Sequence, residues 1–245
     1  MLLDRKFYSV IIAALILVLL IPVAVAGWKA YSRAAPAKTA EAYISALVKG
    51  DSKGALRVSS GSAALAAKKA ANSWVQITDI QISIPSMGRN WCEALVFVEI
   101  VLQDKSHDAG FYSIELIREK EWKVISVRQA SPWVSGLWGV ASKKDVKDAE
   151  DVLNSYLQML SKNQYQAAAK LLCGQARLAH EKGAAALGKA PLFKSVGDVR
   201  LAPLWKRGNQ MVCRAGYEID GRSVKTIVRF LRLRDGWHIL EITSY

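Results

Sequence analysis

Cysteine and histidine are scarce in this chain, with three of each among 245 residues. Cys92, Cys173 and Cys213 are too few and too scattered for a disulfide-stapled scaffold, and at least one must stay unpaired. Pairing of Cys173 with Cys213 in an oxidising compartment stays open. No CxxC and no His/Cys spacing suited to a metal occurs, so no metal or other cofactor is expected. His107 and His180 read as solvated, and His238 as a strand residue alternating away from Trp237. None of the three has a Ser, Cys or carboxylate partner at a motif spacing, which argues against nucleophilic catalysis. A phosphate-cradling glycine loop and a dinucleotide fingerprint are missing. Low-complexity sequence is missing too.

Charge is also one-sided, with 21 acidic residues against 34 Lys and Arg. The excess is spread evenly along the chain rather than gathered in a tail. Such a surface has a mild preference for anionic envelope polymers or lipid headgroups, and the alternative is a basic solvated surface with no specific partner. No specific nucleic-acid binding is predicted.

One long hydrophobic run is present. Phe7 to Trp28 contains no charge and is flanked by Arg5 and Lys6 before and by Lys29 and Arg33 after. As a helix, such a run reaches about 33 Å, enough to cross a bilayer core. It is read as a single-pass membrane anchor, about 7–28, within an N-terminal region 1–36. Trp28 and Tyr31 stand where interfacial aromatics would. Ala24-Val25-Ala26 also fits a signal-peptide cleavage site, so removal after Ala26 is the competing reading. Both place the remaining chain outside the cytoplasm.

The rest of the sequence is built twice. Tyr43 to Asp51 reappears as Tyr156 to Gln164, 113 residues on, and Ile114 to Val127 as Arg229 to Ile242, 115 residues on. Two blocks recurring in the same order at nearly the same spacing predict a duplicated domain of roughly 100 residues. Residues 37–130 form the first unit and 145–245 the second. The linker, 131–144, holds Pro132, Trp133, Leu137, Trp138 and Val140. It is too apolar for a flexible spacer and is expected to pack against the units.

Each unit reads as helices followed by strands. In the first, Ala40, Tyr43, Ile44, Leu47 and Val48 make one stripe at helical spacing, ended by Gly50-Asp51. Short helices follow at about Lys53–Val58 and Ser62–Ala71. Ile80, Ile82 and Ile84 alternate, while Val75 and Ile77 sit on the other parity, so a bulge or bend is expected near Thr78-Asp79. Ala94 to Leu102 is a strand apolar on both faces. Tyr112 to Leu116 and Trp122 to Val127 complete the sheet. In the second unit Ser142 with Asp145 is a cap for the helix striped by Ala149, Leu153, Tyr156, Leu157 and Leu160. Phe193 to Leu204 is expected as a strand interrupted by Gly197. Asp220-Gly221 is a hairpin turn, and Asp235-Gly236 leads into the last strand. Helices first and antiparallel strands after give an α+β class, three helices on a curved sheet of about four strands in each unit.

A first helix broken at Lys49-Gly50-Asp51 or Lys162-Asn163-Gln164, an alanine-rich helix, then long bent strands ending in a Trp strand: this pattern resembles the nuclear-transport-factor-two-like superfamily, the cone-shaped cystatin-like fold. It is most similar to membrane-anchored bacterial members of the lumazine-binding-like type. The anchor followed by two such units is also similar to scaffold proteins of conjugation and type IV secretion machines. The superfamily includes enzymes, ligand binders and scaffolds.

The resemblance implies a cone pocket that Tyr43, Trp74, Trp122, Tyr156, Trp205 and Trp237 would line, unless they simply fill the core. It also directs attention to Asp79 and Asp198, at comparable points of each unit's first strand, as pocket carboxylates of an isomerase-like or dehydratase-like enzyme; the alternative is a solvated Asp beside a turn. Lys225, Arg229, Arg232 and Arg234 make a basic strand pair, either a surface for anionic polymers or an outer sheet face. The reading adopted is a non-enzymatic, membrane-anchored interaction or scaffold protein of the cell envelope that associates with itself or a protein partner. A binding protein for a small apolar ligand is the runner-up.

Overall fold

The computed structural model describes Gly27 and residues 31–69, 75–133, 136–187 and 191–244. The expected anchor, apart from Gly27, lies outside the described residues, and so does Trp74. Among the described residues no helix is long and apolar enough to cross a membrane.

The class is α+β with antiparallel sheets. Helix α1 (31–49) is followed by α2 (Ser52–Arg57) and α3 (Gly61–Lys69). Four strands form the first sheet in sequential order: β1 (Gln76–Met87), β2 (Trp91–Val101), β3 (His107–Arg118) and β4 (Trp122–Gln129). The two-residue β5 (Trp138–Gly139) comes next, then α4 (Lys143–Ser161), α5 (Tyr165–Ala169) and α6 (Gly174–Leu187). The second sheet runs β5, β6 (Arg200–Arg207), β7 (Gln210–Ile219), β8 (Arg222–Leu233) and β9 (Gly236–Ser244). It therefore has five strands, because the linker supplies an edge strand that the sequence pattern did not mark.

Local chemistry explains the boundaries. Ser142 accepts from the Asp145 N–H at 3.0 Å while the Asp145 carboxylate accepts from the Ser142 N–H at 3.2 Å, a capping box that starts α4. Helix α1 ends on Gly50 at φ +71°, with Asp51 N–H donating back to Ala46 O at 2.8 Å. Helix α4 ends the same way on Asn163 at φ +59°, with Gln164 N–H donating to Met159 O at 2.8 Å. Both are left-handed caps that satisfy carbonyls of the last turn. The bulge expected in β1 falls between Ile77 and Asp79. Asp220 and Gly221, at φ +50° and +75°, turn β7 into β8. The strand expected from Phe193 starts only at Arg200. Before it, the Asp220 carboxylate accepts from the Lys194 and Ser195 N–H groups at 2.9 Å each, and only a single antiparallel bridge, Val196 to Ile219, joins this segment to β7.

Each sheet buries one face against its own helices. Tyr43, Ile44, Val96, Ile114, Leu116 and Val124 centre the first core, and Leu153, Met211, Val228, Phe230 and Ile239 the second. A detail of attachment recurs. Val124 exchanges main-chain hydrogen bonds with Val58 and Ser60, at 2.9 and 2.8 Å. Ile239 exchanges them with Leu171 and Cys173, at 2.9 and 3.0 Å. The resulting parallel bridges, Ser59 to Val124 and Leu172 to Ile239, are displaced by the same 113 and 115 residues as the sequence blocks. The glycines that follow, Gly61 and Gly174, share φ near +55° and +59°.

Candidate functional site

Strand β2 is covered on both faces, as its apolar run predicts. Val96 and Val98 enter the first core, whereas Phe97 packs with Ala109 and Phe111 against Cys173, Leu231, Leu233 and Leu240 from the other side of the chain. This third cluster joins the two halves. The Phe97 and Phe111 rings stand 5.2 Å apart at 49°, and Ala130 with Trp133 of the linker closes the rim. Gln210 Nε2 donates to Trp133 O at 2.8 Å, so the start of the linker packs at the junction, whereas Leu137, Trp138 and Val140 stay exposed.

A polar layer surrounds that apolar centre. Glu99, 4% exposed, lies with Oε1 2.9 Å from His107 Nδ1 and accepts from the Arg234 main-chain N–H at 2.9 Å. His107 Nδ1 is 3.9 Å from Asp235 Oδ1, and the same Asp235 oxygen is 2.8 Å from His238 Nε2. Two carboxylates and two imidazoles thus alternate across the junction. The guanidinium of Arg234 donates to Thr78 O, the carbonyl at the β1 bulge. The bulge is therefore a docking point for the second half.

The start of α6 makes the other polar contact. Asp108 Oδ1 accepts from the N–H groups of Gly174 and Ala109, at 2.7 Å each. Burial pushes the Asp108 carboxyl up from its ordinary range, against the pull of those two bonds and of Arg177. Arg177, 7% exposed, donates from Nη1 to Ser106 Oγ at 3.0 Å and from Nε to Glu181 Oε1 at 3.0 Å. Ser106 donates in turn to Asp104, whose carboxyl is held well below the usual range by hydrogen bonds from Ser106 and Lys170. Burial pushes the Cys173 thiol well above its ordinary value, so it stays neutral and is no nucleophile. Removing these paired groups from water gives the layer a geometric role, because Glu99, Asp104, Ser106 and Asp108 each hold a partner in the opposite half.

The sequence-derived candidates are dispersed. Tyr43 is fully buried, its hydroxyl donating to Ala63 O at 2.9 Å, and Trp122 lies in the same core. Tyr156 places its hydroxyl 3.3 Å from His180 Nδ1, and His180 Nε2 lies 2.9 Å from Tyr165 O, so this histidine is not solvated as expected. Trp205 meets Trp138 edge-on with centroids 5.9 Å apart. Trp237 is buried beneath Lys206 and Arg232, whose cations stand 5.9 and 5.8 Å from its ring. Asp79 accepts from Gln81 Nε2 at 2.8 Å beside the bulge, and Asp198 is exposed on the loop before β6.

Among the basic candidates Lys225 is exposed. Arg229 lies 3.5 Å from Glu241, Arg232 3.2 Å from Asp145, and Arg234 belongs to the junction. Sequence reasoning passed over Glu99, Asp108, Arg177 and Asp235. His107 and His238, read as solvated and as an ordinary strand residue, are both in the junction, and His238 is 4% exposed. The available signal was β2 itself, since a strand apolar on both faces needs a second covering layer.

No protein-family model matches this chain. No curated protein matches it. Among solved structures it is similar to an Ntf2-like protein involved in plasmid conjugation, at 12% identity and a TM-score of 0.30, covering 79% of this chain and 86% of the other. It is also similar to a cystatin-like protein from Ruminococcus gnavus ATCC 29149, at 11% identity and a TM-score of 0.32, covering 70% of this chain and 68% of the other.

Proposed function

We propose that this chain is a non-enzymatic, membrane-anchored scaffold of the cell envelope, made of two copies of one helix-and-sheet unit held at a fixed angle. The observation that carries the reading is the junction. A flexible tether would let each unit bind its own ligand, whereas a buried apolar centre ringed by paired charges keeps two surfaces in one rigid geometry. The duplication is supported by the matched caps, bridges and glycines displaced by 113 to 115 residues. The anchor is the uncharged run Phe7 to Trp28, with the two units outside the cytoplasm. A place in a conjugation or secretion assembly is the narrower form of the same proposal.

The test is crosslinking of the full chain in its own membranes, followed by native mass spectrometry of the detergent extract. A complex of fixed stoichiometry, with itself or with another envelope protein, is the expected result. A lone monomer without crosslinks overturns the scaffold reading. A small molecule retained at fixed stoichiometry by a lone monomer turns the assignment to a ligand-binding protein.

A further inference from the structure

The linker carries three large apolar side chains into water. Leu137 is 88% exposed, Trp138 69% and Val140 93%. They are not on a loose loop. Leu137 O accepts from Gly208 N–H at 3.1 Å, Trp138 pairs with Arg207 in the β5–β6 ladder, and Arg207 Nε donates to Gly136 O at 2.9 Å. The Arg207 guanidinium stands 5.3 Å over the Trp138 ring. A rigid segment that holds apolar groups outward keeps apolar surface in water, an unfavourable exposure that an occupant would remove.

The geometry selects the occupant. Leu137 and Trp138 are consecutive in an extended segment, so their side chains leave on opposite faces. A flat partner covers one face of an edge strand, whereas an apolar medium receives both. The charges agree. From Gly136 to Lys144 there is no acidic residue, Lys143 and Lys144 are exposed, and Arg207 caps the indole. The next acid, Asp145, is buried and paired with Lys206 at 2.5 Å and Arg232 at 3.2 Å. Tryptophan beside arginine and lysine suits the headgroup level of a bilayer. Strand β5 is the edge of its sheet, and unpaired main-chain groups on that edge limit entry to the interface.

We propose that Leu137, Trp138 and Val140 dip into the headgroup region of an anionic membrane, giving the second half of the chain its own membrane contact. The proposal rests on the membrane-anchored reading above, and the contact would hold the rigid two-unit body at a set orientation to the bilayer.

The experiment uses the full chain carrying Val140→Cys, labelled with an environment-sensitive nitrobenzoxadiazole dye, in vesicles of phosphatidylcholine and phosphatidylglycerol. Cys92, Cys173 and Cys213 are buried, so the added thiol takes the label. A second preparation carries the label at Ser223→Cys, an exposed site on β8. Expected is a blue-shifted emission at position 140, quenched at least two-fold by lipid-borne nitroxide, with none at 223 and with loss of quenching on adding Trp138→Ala and Leu137→Ser. Water-like emission at 140 from chain that floats with the vesicles overturns the tip contact alone. Blue-shifted emission that nitroxide lipids do not quench means a protein covers the tip, and also overturns it. Chain that fails to float overturns both the contact and the anchor.

Discussion

The main-chain N–H of Arg234 donates to Oε1 of Glu99 at 2.9 Å, across the boundary between the two halves of the chain. Glu99 is on β2 and Arg234 is in the turn between β8 and β9, so one carboxylate oxygen connects the two sheets. The same oxygen lies 2.9 Å from His107 Nδ1. Glu99→Ala therefore leaves two part-buried groups, the Arg234 N–H and the His107 ring nitrogen, without this acceptor. The expected loss is about 1–3 kcal/mol, the cost of leaving hydrogen-bonding groups of a folded interior without their partner. Urea unfolding followed by tryptophan fluorescence measures it. The single transition should also separate into two, because the halves retain their own cores while the contact between them weakens. A loss within the ~0.5 kcal/mol scatter of ordinary surface substitutions means that the junction is not held by this residue.

Gly174 and Gly61 offer a paired comparison. Both have positive φ, +59° and +55°, where a side chain is strained by about 1–2 kcal/mol. An added Cβ would stand 3.2 Å from a carbonyl oxygen in each case. At Gly61 that oxygen belongs to Ile125 of its own unit, whereas at Gly174 it belongs to Ala109 across the junction. Gly61→Ala should lower stability without loosening the junction. Gly174→Ala should lower it by a similar amount and also speed hydrogen exchange at the main-chain amides of Ala109 and Arg234. Equal exchange in the two variants would mean that the strain at Gly174 is absorbed within α6.

The junction is also where the sequence was least legible. Elements set by local chemistry were readable: the Ser142–Asp145 cap, the Asp220-Gly221 turn, and the bulge marked by a change of parity after Ile77. These depend on neighbours a few residues apart. Glu99, Asp108, Arg177 and Asp235 come from four separate segments, and no spacing relates them. His107 stands in a run of polar residues that looks like a solvated turn until another unit is placed on it. The strand expected from Phe193 failed for a similar reason, since the Asp220 carboxylate that ties Lys194 and Ser195 lies 26 and 25 residues away from them. The linker was legible in its apolarity but not in its division between Trp133, which is drawn into the junction, and Leu137 to Val140, which stand outside.

All three cysteines are buried and free. Burial raises the thiols of Cys92 and Cys213 to about 11 and about 12, and pushes that of Cys173 well above its ordinary value. Thiolate, the reactive form, is therefore depleted at neutral pH, and the reagent has no access to it. The folded chain should leave a thiol reagent such as dithiobisnitrobenzoate unconsumed over minutes, and release three equivalents of thionitrobenzoate once unfolded in guanidinium. Release of one equivalent before the other two would mark Cys173, because it alone lies at the junction and is uncovered when the halves part.

Asp145 caps α4 and also binds two cations, with Lys206 Nζ at 2.5 Å and Arg232 Nη1 at 3.2 Å, and both cations lie over the Trp237 ring. Burial opposes ionisation of its carboxyl, but hydrogen bonds from Lys206 and Ser142 outweigh burial and bring it from 3.8 down to about 2. The folded state thus binds this proton less readily than the unfolded chain does. The stabilisation is fully present above about pH 4 and is lost as pH falls through about 2. Asp145→Asn removes the charge while keeping the size, and should cost about 1–3 kcal/mol at neutral pH, the range for hydrogen bonds to charged groups and their loss when buried. Denaturation of the native chain and the variant should show a gap that is constant from pH 7 to about 5 and narrows below pH 4. A gap independent of pH throughout this range would assign the effect to the shape of the helix cap rather than to the charge that Lys206 and Arg232 share.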